Sequence, residues 1–146
     1  MNEAAETLTP RWFKITSGLF LVWNLFGLAV FALTMSKFRQ REALENAGLS
    51  KEQIDLTLAT PAWVNIAFGV AVVFGVLGCV ALVMKSQLAT PLLVASLLGV
   101  LAQNTYMYFL SDTIKVMGVG ASPLVMLGAV VLVPYAMHCS KRGWYR

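Results

Sequence analysis

Apolar residues run in long unbroken blocks along this chain, and those blocks, more than any finer periodicity, define its elements. No formal charge falls in the 22 residues between Lys14 and Lys37, the 29 between Asp55 and Lys85, the 26 between Lys85 and Asp112, or the 25 between Lys115 and Lys141. A helix of about 20 apolar residues crosses a hydrocarbon core about 30 Å thick. Each block is long enough and consists mostly of Leu, Val, Ala, Phe, Gly and Met. A closed β-barrel would show short alternating segments instead, and runs such as Val70–Val73 and Leu97–Ala102 do not alternate. The pattern predicts an all-α membrane protein with one domain over 1–146. Its four transmembrane helices are expected near 10–35, 61–84, 91–111 and 123–142, with a short helical extracytoplasmic loop between the first two.

Proline placement sharpens the helix starts. Thr9-Pro10, Thr60-Pro61, Thr90-Pro91 and Ser122-Pro123 each precede one of the four blocks. A Ser/Thr N-cap followed by Pro in the first turn satisfies one orphan N–H and removes another. The fifth proline, Pro134, falls inside the last helix and is expected to kink it by freeing the carbonyl of Val130. In the first loop, Lys37 to Ala47 reads as a short charged helix ended by Gly48. Ser50 and Gln53 then form a capping-box pattern that opens another. Ile54 and Leu58 share a face of that second helix, which suits a position on the membrane surface; a solvated helical lid over the bundle is the simpler account than a partner-binding cap.

Composition agrees with the pattern. The chain is 58% hydrophobic, 12% charged and has a mean hydropathy of +0.72, far from the roughly 25% charge of a soluble domain. That balance excludes a disordered chain, a nucleic-acid module and an ordinary cytosolic enzyme. Glu3 and Glu6 with no early Lys or Arg are the reverse of a signal-peptide n-region, so the first block is expected to be a retained helix. The base count sets orientation. Arg11, Lys14, Lys85, Lys141, Arg142 and Arg146 collect on the side of the termini, against Lys37, Arg39, Arg41, Lys51 and Lys115 on the other. Six to five favours cytoplasmic termini.

In lipid, helices associate through close approach of small residues and interhelical hydrogen bonds. Ala67, Ala71, Gly75 and Cys79 repeat every fourth residue in the second helix, and Ser96, Gly99, Gln103 and Tyr106 share a face of the third. Ala67, Ala71, Gly75 and Gly99 are therefore the candidate packing positions. Cys79 and Cys139 lie towards the same side of the membrane and have no metal-ligand or redox spacing. They read as two small thiols, not a disulfide.

No Asp, Glu, Lys or Arg lies deep in a helix, where proton- or ion-coupled carriers keep one. His138 is a lone histidine, which excludes paired-His haem ligation. No P-loop, HExxH or Ser/His/Asp pattern is present, so no catalytic residue, metal site or cofactor is expected, and no enzyme. The remaining polar groups are neutral. Trp23 and Asn24 sit halfway along the first helix, Trp63 and Asn65 near the start of the second, and Gln103, Asn104 and Tyr106 in the third. Amides and aromatic faces are the groups a neutral polyhydroxyl solute would use. The same residues also suit an interfacial aromatic belt and interhelical bonding.

The motifs Trp23-Asn24-Leu25-Phe26-Gly27, Thr60-Pro61-Ala62-Trp63, Pro91 through Gly99 with Gln103, and Arg142-Gly143-Trp144 carry a family likeness. In these the chain resembles a group of small bacterial four-helix membrane proteins of about this length, labelled sugar transporters. The likeness covers nearly the whole chain, although Lys37, Arg39 and Arg41 make the first loop more basic than the family's. It implies a bacterial inner-membrane protein that takes a small neutral solute such as a sugar. Four helices leave little room for a gated path, so a homo-oligomer is expected. The alternative from the residues alone is a non-catalytic subunit or assembly partner of another membrane protein, docking through the glycine-rich second helix or the first loop. The lipid bilayer is a partner in either case, and nucleic acid in neither.

Overall fold

A computed structural model describes residues 10–37, 41–120 and 122–143. Thr9, Arg39, Trp144, Arg146, Glu3 and Glu6 of the sequence reading lie outside the described residues. The described chain is helical throughout, with no strand. α1 is Arg11–Lys37, α2 Arg41–Asn46, α3 Lys51–Leu58, α4 Ala62–Val83, α5 Ala89–Thr105, α6 Thr113–Met117 and α7 Ser122–Lys141. α5 continues into a wider π-helical turn, Tyr106–Leu110. α1, α4, α5 with its π turn, and α7 are the four helices long and apolar enough to cross a membrane. The chain is an all-α four-helix membrane bundle.

The long helices stand in the order α1–α4–α5–α7. α4 packs most extensively along α5, α1 lies against α4, and α7 lies against α5. Small residues make the central seam. A side chain on Gly99 would sit 2.7 Å from the Ala67 carbonyl oxygen and 2.8 Å from the Ala71 nitrogen, so α5 runs directly on the α4 backbone there. Nearby, Ser96 Oγ donates to the Ala71 carbonyl at 2.6 Å, and Gly78 leaves room for Leu93. Gly75 instead receives Asn24 from α1 and Ser96 from α5.

The tight connection between α4 and α5 follows from their junction. Lys85 takes a left-handed φ of 58°. That turn lets the amides of Lys85 and Ser86 reach back to the carbonyls of Leu82 at 3.0 Å and Ala81 at 2.8 Å, a Schellman closure of the kind glycine usually makes. The amide of Ala89 then bonds the Ser86 carbonyl at 3.1 Å. α5 therefore begins at Ala89, two residues before Pro91.

The expected hydroxyl caps are corrected by this geometry. Thr90 lies inside the first turn of α5, its buried Oγ1 without a hydrogen-bond partner among the described residues. Thr60 Oγ1 donates back to Leu56 at 3.1 Å, and Ser122 Oγ donates to Asn104 Oδ1. Pro10, Pro61 and Pro123 stand at helix starts, where no donor is needed from them, while Pro91 falls third in α5. The hydroxyls beside them serve other contacts. Pro134 lies inside α7, which runs on to Lys141.

The first loop holds α2 and α3. Gly48 turns the chain at a φ of 78°. Ser50 and Gln53 then form the predicted capping box, with the Gln53 amide donating to Ser50 Oγ at 3.2 Å and the Ser50 amide to Gln53 Oε1 at 3.0 Å. Arg41 pairs with Asp55 across the two short helices. Ile54 is buried while Leu58 stays exposed, so their shared face is divided. α3 packs against α6, a short helix that the sequence reading left within a connection.

At the end carrying the termini, Phe13, Cys79, Leu82, Leu93, Ala136 and Cys139 close into one buried cluster. Both cysteines are free thiols. Tyr135 of α7 joins this end to α1. Its ring stacks on Phe13 at a centroid distance of 6.3 Å and meets Phe20 at 6.0 Å, and its hydroxyl lies 3.4 Å from Ser17 Oγ and the Phe13 carbonyl. Beyond Ser17 no described side chain of α1 is buried.

Candidate functional site

Three spaces occupy the half of the bundle away from the termini and its α1–α7 side. An outer cup of about 160 Å³ lies beneath α3 and α6. An inner chamber of about 310 Å³ lies among the four long helices. A lateral cleft of about 370 Å³ separates α1 from α7.

Neutral side chains supply the polar groups of the cup. Thr34, Thr57, Thr60, Asn65, Gln103, Tyr106 and Thr113 line it together with Val64, Phe68 and two methionines. The threonine hydroxyl protons are largely committed. Thr34 donates to Val30 at 2.8 Å, Thr57 to Gln53 at 2.7 Å and Thr60 to Leu56 at 3.1 Å, which leaves their oxygens as acceptors. Asn65, Gln103 and the Tyr106 hydroxyl make no side-chain hydrogen bond among the described residues and bring both donors and acceptors. Tyr106 is set by the π turn that begins with it, and its ring meets Trp63 edge-on at 5.7 Å. Single π turns within α-helices recur at functional sites.

The chamber is mainly apolar. Asn24 and Ser96 touch it, but both are committed elsewhere. Asn24 Nδ2 donates to the Phe20 carbonyl at 2.8 Å and reaches Cys79 Sγ at 3.4 Å, and Ser96 donates to Ala71. Gln103 and Phe68 line both cup and chamber and so form the partition between them. The position of Phe68 traces back to a glycine. Gly69 admits the Phe31 ring, whose Cζ would lie 3.1 Å from a side chain there, and Phe31 meets Phe68 edge-on at 5.1 Å.

A second partition stands between chamber and cleft. Phe20, Trp23 and Gly128 line both spaces. The Trp23 indole nitrogen would lie 4.0 Å from a side chain placed on Gly128, so the indole reaches across from α1 to α7. The Thr16 hydroxyl, engaged with Tyr135, and the Trp23 indole N–H are the polar groups of the cleft lining.

The structure thus sorts the seven candidates. Asn65, Gln103 and Tyr106 meet in the cup, while Trp23, Asn24 and Gln103 touch the chamber. Trp63 stands behind Tyr106. Asn104 lines neither space. It is buried against α7, donating to Val100 at 2.7 Å and accepting from Ser122. Gln103 and Asn104 are neighbours in sequence, and 3.6 residues per turn sends them about 100° apart. The packing candidates Ala67, Ala71, Gly75 and Gly99 lie on the seams described above. Sequence reasoning missed Phe68 and the four cup threonines. A threonine in an apolar helix ordinarily bonds its own backbone, so nothing in the sequence singled them out.

Among the described residues no group of three or more His, Cys, Asp or Glu converges as a metal site. Comparison with protein-family models, curated proteins and solved structures finds no match to the chain.

Proposed function

We propose that this multi-pass membrane protein binds a small, neutral, hydroxyl-bearing solute in the outer cup and facilitates its passage. Gln103 carries the reading. Its amide has no hydrogen-bond partner among the described residues, and it lines both the cup and the chamber beyond. A neutral amide there can exchange hydrogen bonds with a hydroxyl on either side without the desolvation cost of a charge. Asn65, Tyr106 and the threonine oxygens complete a set of donors and acceptors suited to a polyol or sugar. The resemblance to small bacterial proteins labelled sugar transporters supports the same class, a bacterial inner-membrane location and assembly as a homo-oligomer. The base count supports cytoplasmic termini, which puts the cup on the outer face.

The test is uptake of labelled xylitol and glucose into liposomes holding the purified chain. Flux above empty vesicles is expected. Gln103→Ala should lose it, whereas Asn104→Ala should keep it. No flux for the intact chain overturns the reading. Persistent co-purification of one other membrane protein would then favour a non-catalytic subunit.

A further inference from the structure

We infer that the solute is a neutral single-chain amphiphile, with its hydroxylated head in the cup and its hydrocarbon chain running through the chamber into the lateral cleft. This rests on the reading of the cup as the seat of a neutral polar group, and it adds what the other two spaces are for.

The three spaces lie in a row along α1, with Thr34 at the cup, Phe26 at the chamber and Thr16 at the far end of the cleft. The 18 residues from Thr16 to Thr34 rise about 27 Å at 1.5 Å each, most of an apolar core about 30 Å thick. Polarity falls along the row. The cup offers uncommitted Asn65, Gln103 and Tyr106, and the chamber the Gln103 amide, Asn24 Oδ1 and the Trp23 indole N–H. The cleft shares that one N–H, its Thr16 hydroxyl being engaged with Tyr135. Beyond Gln103 the chamber walls formed by Phe26, Val72 and Val100 offer no hydrogen bond, so most of that space suits an apolar group. The cleft opens between α1 and α7, two spans whose outer faces meet lipid, so a chain already in the bilayer can enter sideways. No charged side chain lines any of the three spaces, which selects against a carboxylate or phosphate head.

The experiment is equilibrium binding of radiolabelled 1-monooleoylglycerol to the full chain in phosphatidylcholine nanodiscs, with oleic acid at neutral pH and octadecene as comparison ligands. Saturable binding of the monoacylglycerol in preference to both is expected. Gly128→Leu fills the cleft beside Trp23 at a position open enough to accept a side chain, and should weaken binding by about tenfold. Gln103→Leu keeps the bulk but removes the amide. It should weaken binding by about threefold or more and bring the monoacylglycerol level with octadecene. Folding of each variant is checked by its thermal midpoint. Failure of the intact chain to bind, equal binding of oleic acid, or unchanged affinity in folded Gly128→Leu overturns the inference. Xylitol uptake reports separately. Uptake without monoacylglycerol binding removes the chain-binding role and leaves the transport reading standing, whereas binding without uptake removes passage and leaves this site in place.

Discussion

The two ends of the bundle draw on similar residues and use them to opposite effect. At the terminus end, Phe13, Leu82, Leu93, Cys79 and Cys139 interlock until almost nothing is exposed. Towards the loop end, Trp23 and Phe68, the latter backed by Phe31, border open spaces between the helices. Lipid tails are as apolar as these side chains, so burial alone drives neither arrangement. Shape decides. Where glycine or alanine faces a neighbouring backbone, as at Gly99, helices touch. The comparison teaches that close packing and open space rest on different residues, so most damage to one should spare the other.

The largest expected difference is between truncating a side chain in the closed cluster and one beside the chamber. Leu93→Ala should cost about 3 kcal/mol through the cavity it leaves. Phe26→Ala, at a side chain 67% exposed, should cost less than about 1 kcal/mol. Reversible unfolding in mixed micelles measures both, and equal losses would break the comparison. Glycines test it across the bundle. Gly99→Ala drives a methyl into the α4 backbone and should cost about 2 kcal/mol, while Gly128→Ala should stay within about 0.5 kcal/mol.

Smaller effects sharpen the contrast. Asn104→Ala removes the bond from Ser122 that ties α7 to α5 and should cost about 1 kcal/mol, whereas Gln103→Ala should leave the unfolding midpoint in place and act on the solute alone. The smallest effect lies in the loops. The hydrogen bond and charge of Asp112, 2.6 Å away, raise the Lys115 pKa above its ordinary value. A raised lysine pKa means that the pairing is complete below that pKa and is lost as pH rises through it. A titration of the Lys115 side-chain resonance should therefore have a midpoint that falls in Asp112→Asn, with no change in the unfolding midpoint at neutral pH.

The spans were legible because the absence of charge over 22 or more residues leaves a chain few alternatives in lipid. The capping box at Ser50 was legible because both partners lie within four residues. The start of α5 was not, since the Lys85 turn and Ser86 set it ahead of Pro91, where a residue without glycine's freedom takes a left-handed φ. The candidate site was legible in chemistry but not in direction. Several of the neutral amides and aromatic rings line the cup and chamber, yet Asn104 could be separated from Gln103 only by following the helical rotation between them. The cup also depends on α3 and α6 meeting over the bundle, a long-range contact that no local pattern encodes.

Tyr135 ties α1 to α7 near one end only, which makes the pair a lever with a short arm and a long one. From Tyr135 to Leu124 the long arm measures about 16 Å at 1.5 Å per residue. A tilt of about 10° between the two helices at the tyrosine widens the far mouth by about 3 Å over that rise. The opening beside Trp23 thus lies beyond the point where the Tyr135 ring, set against Phe13 and Phe20, joins the two helices.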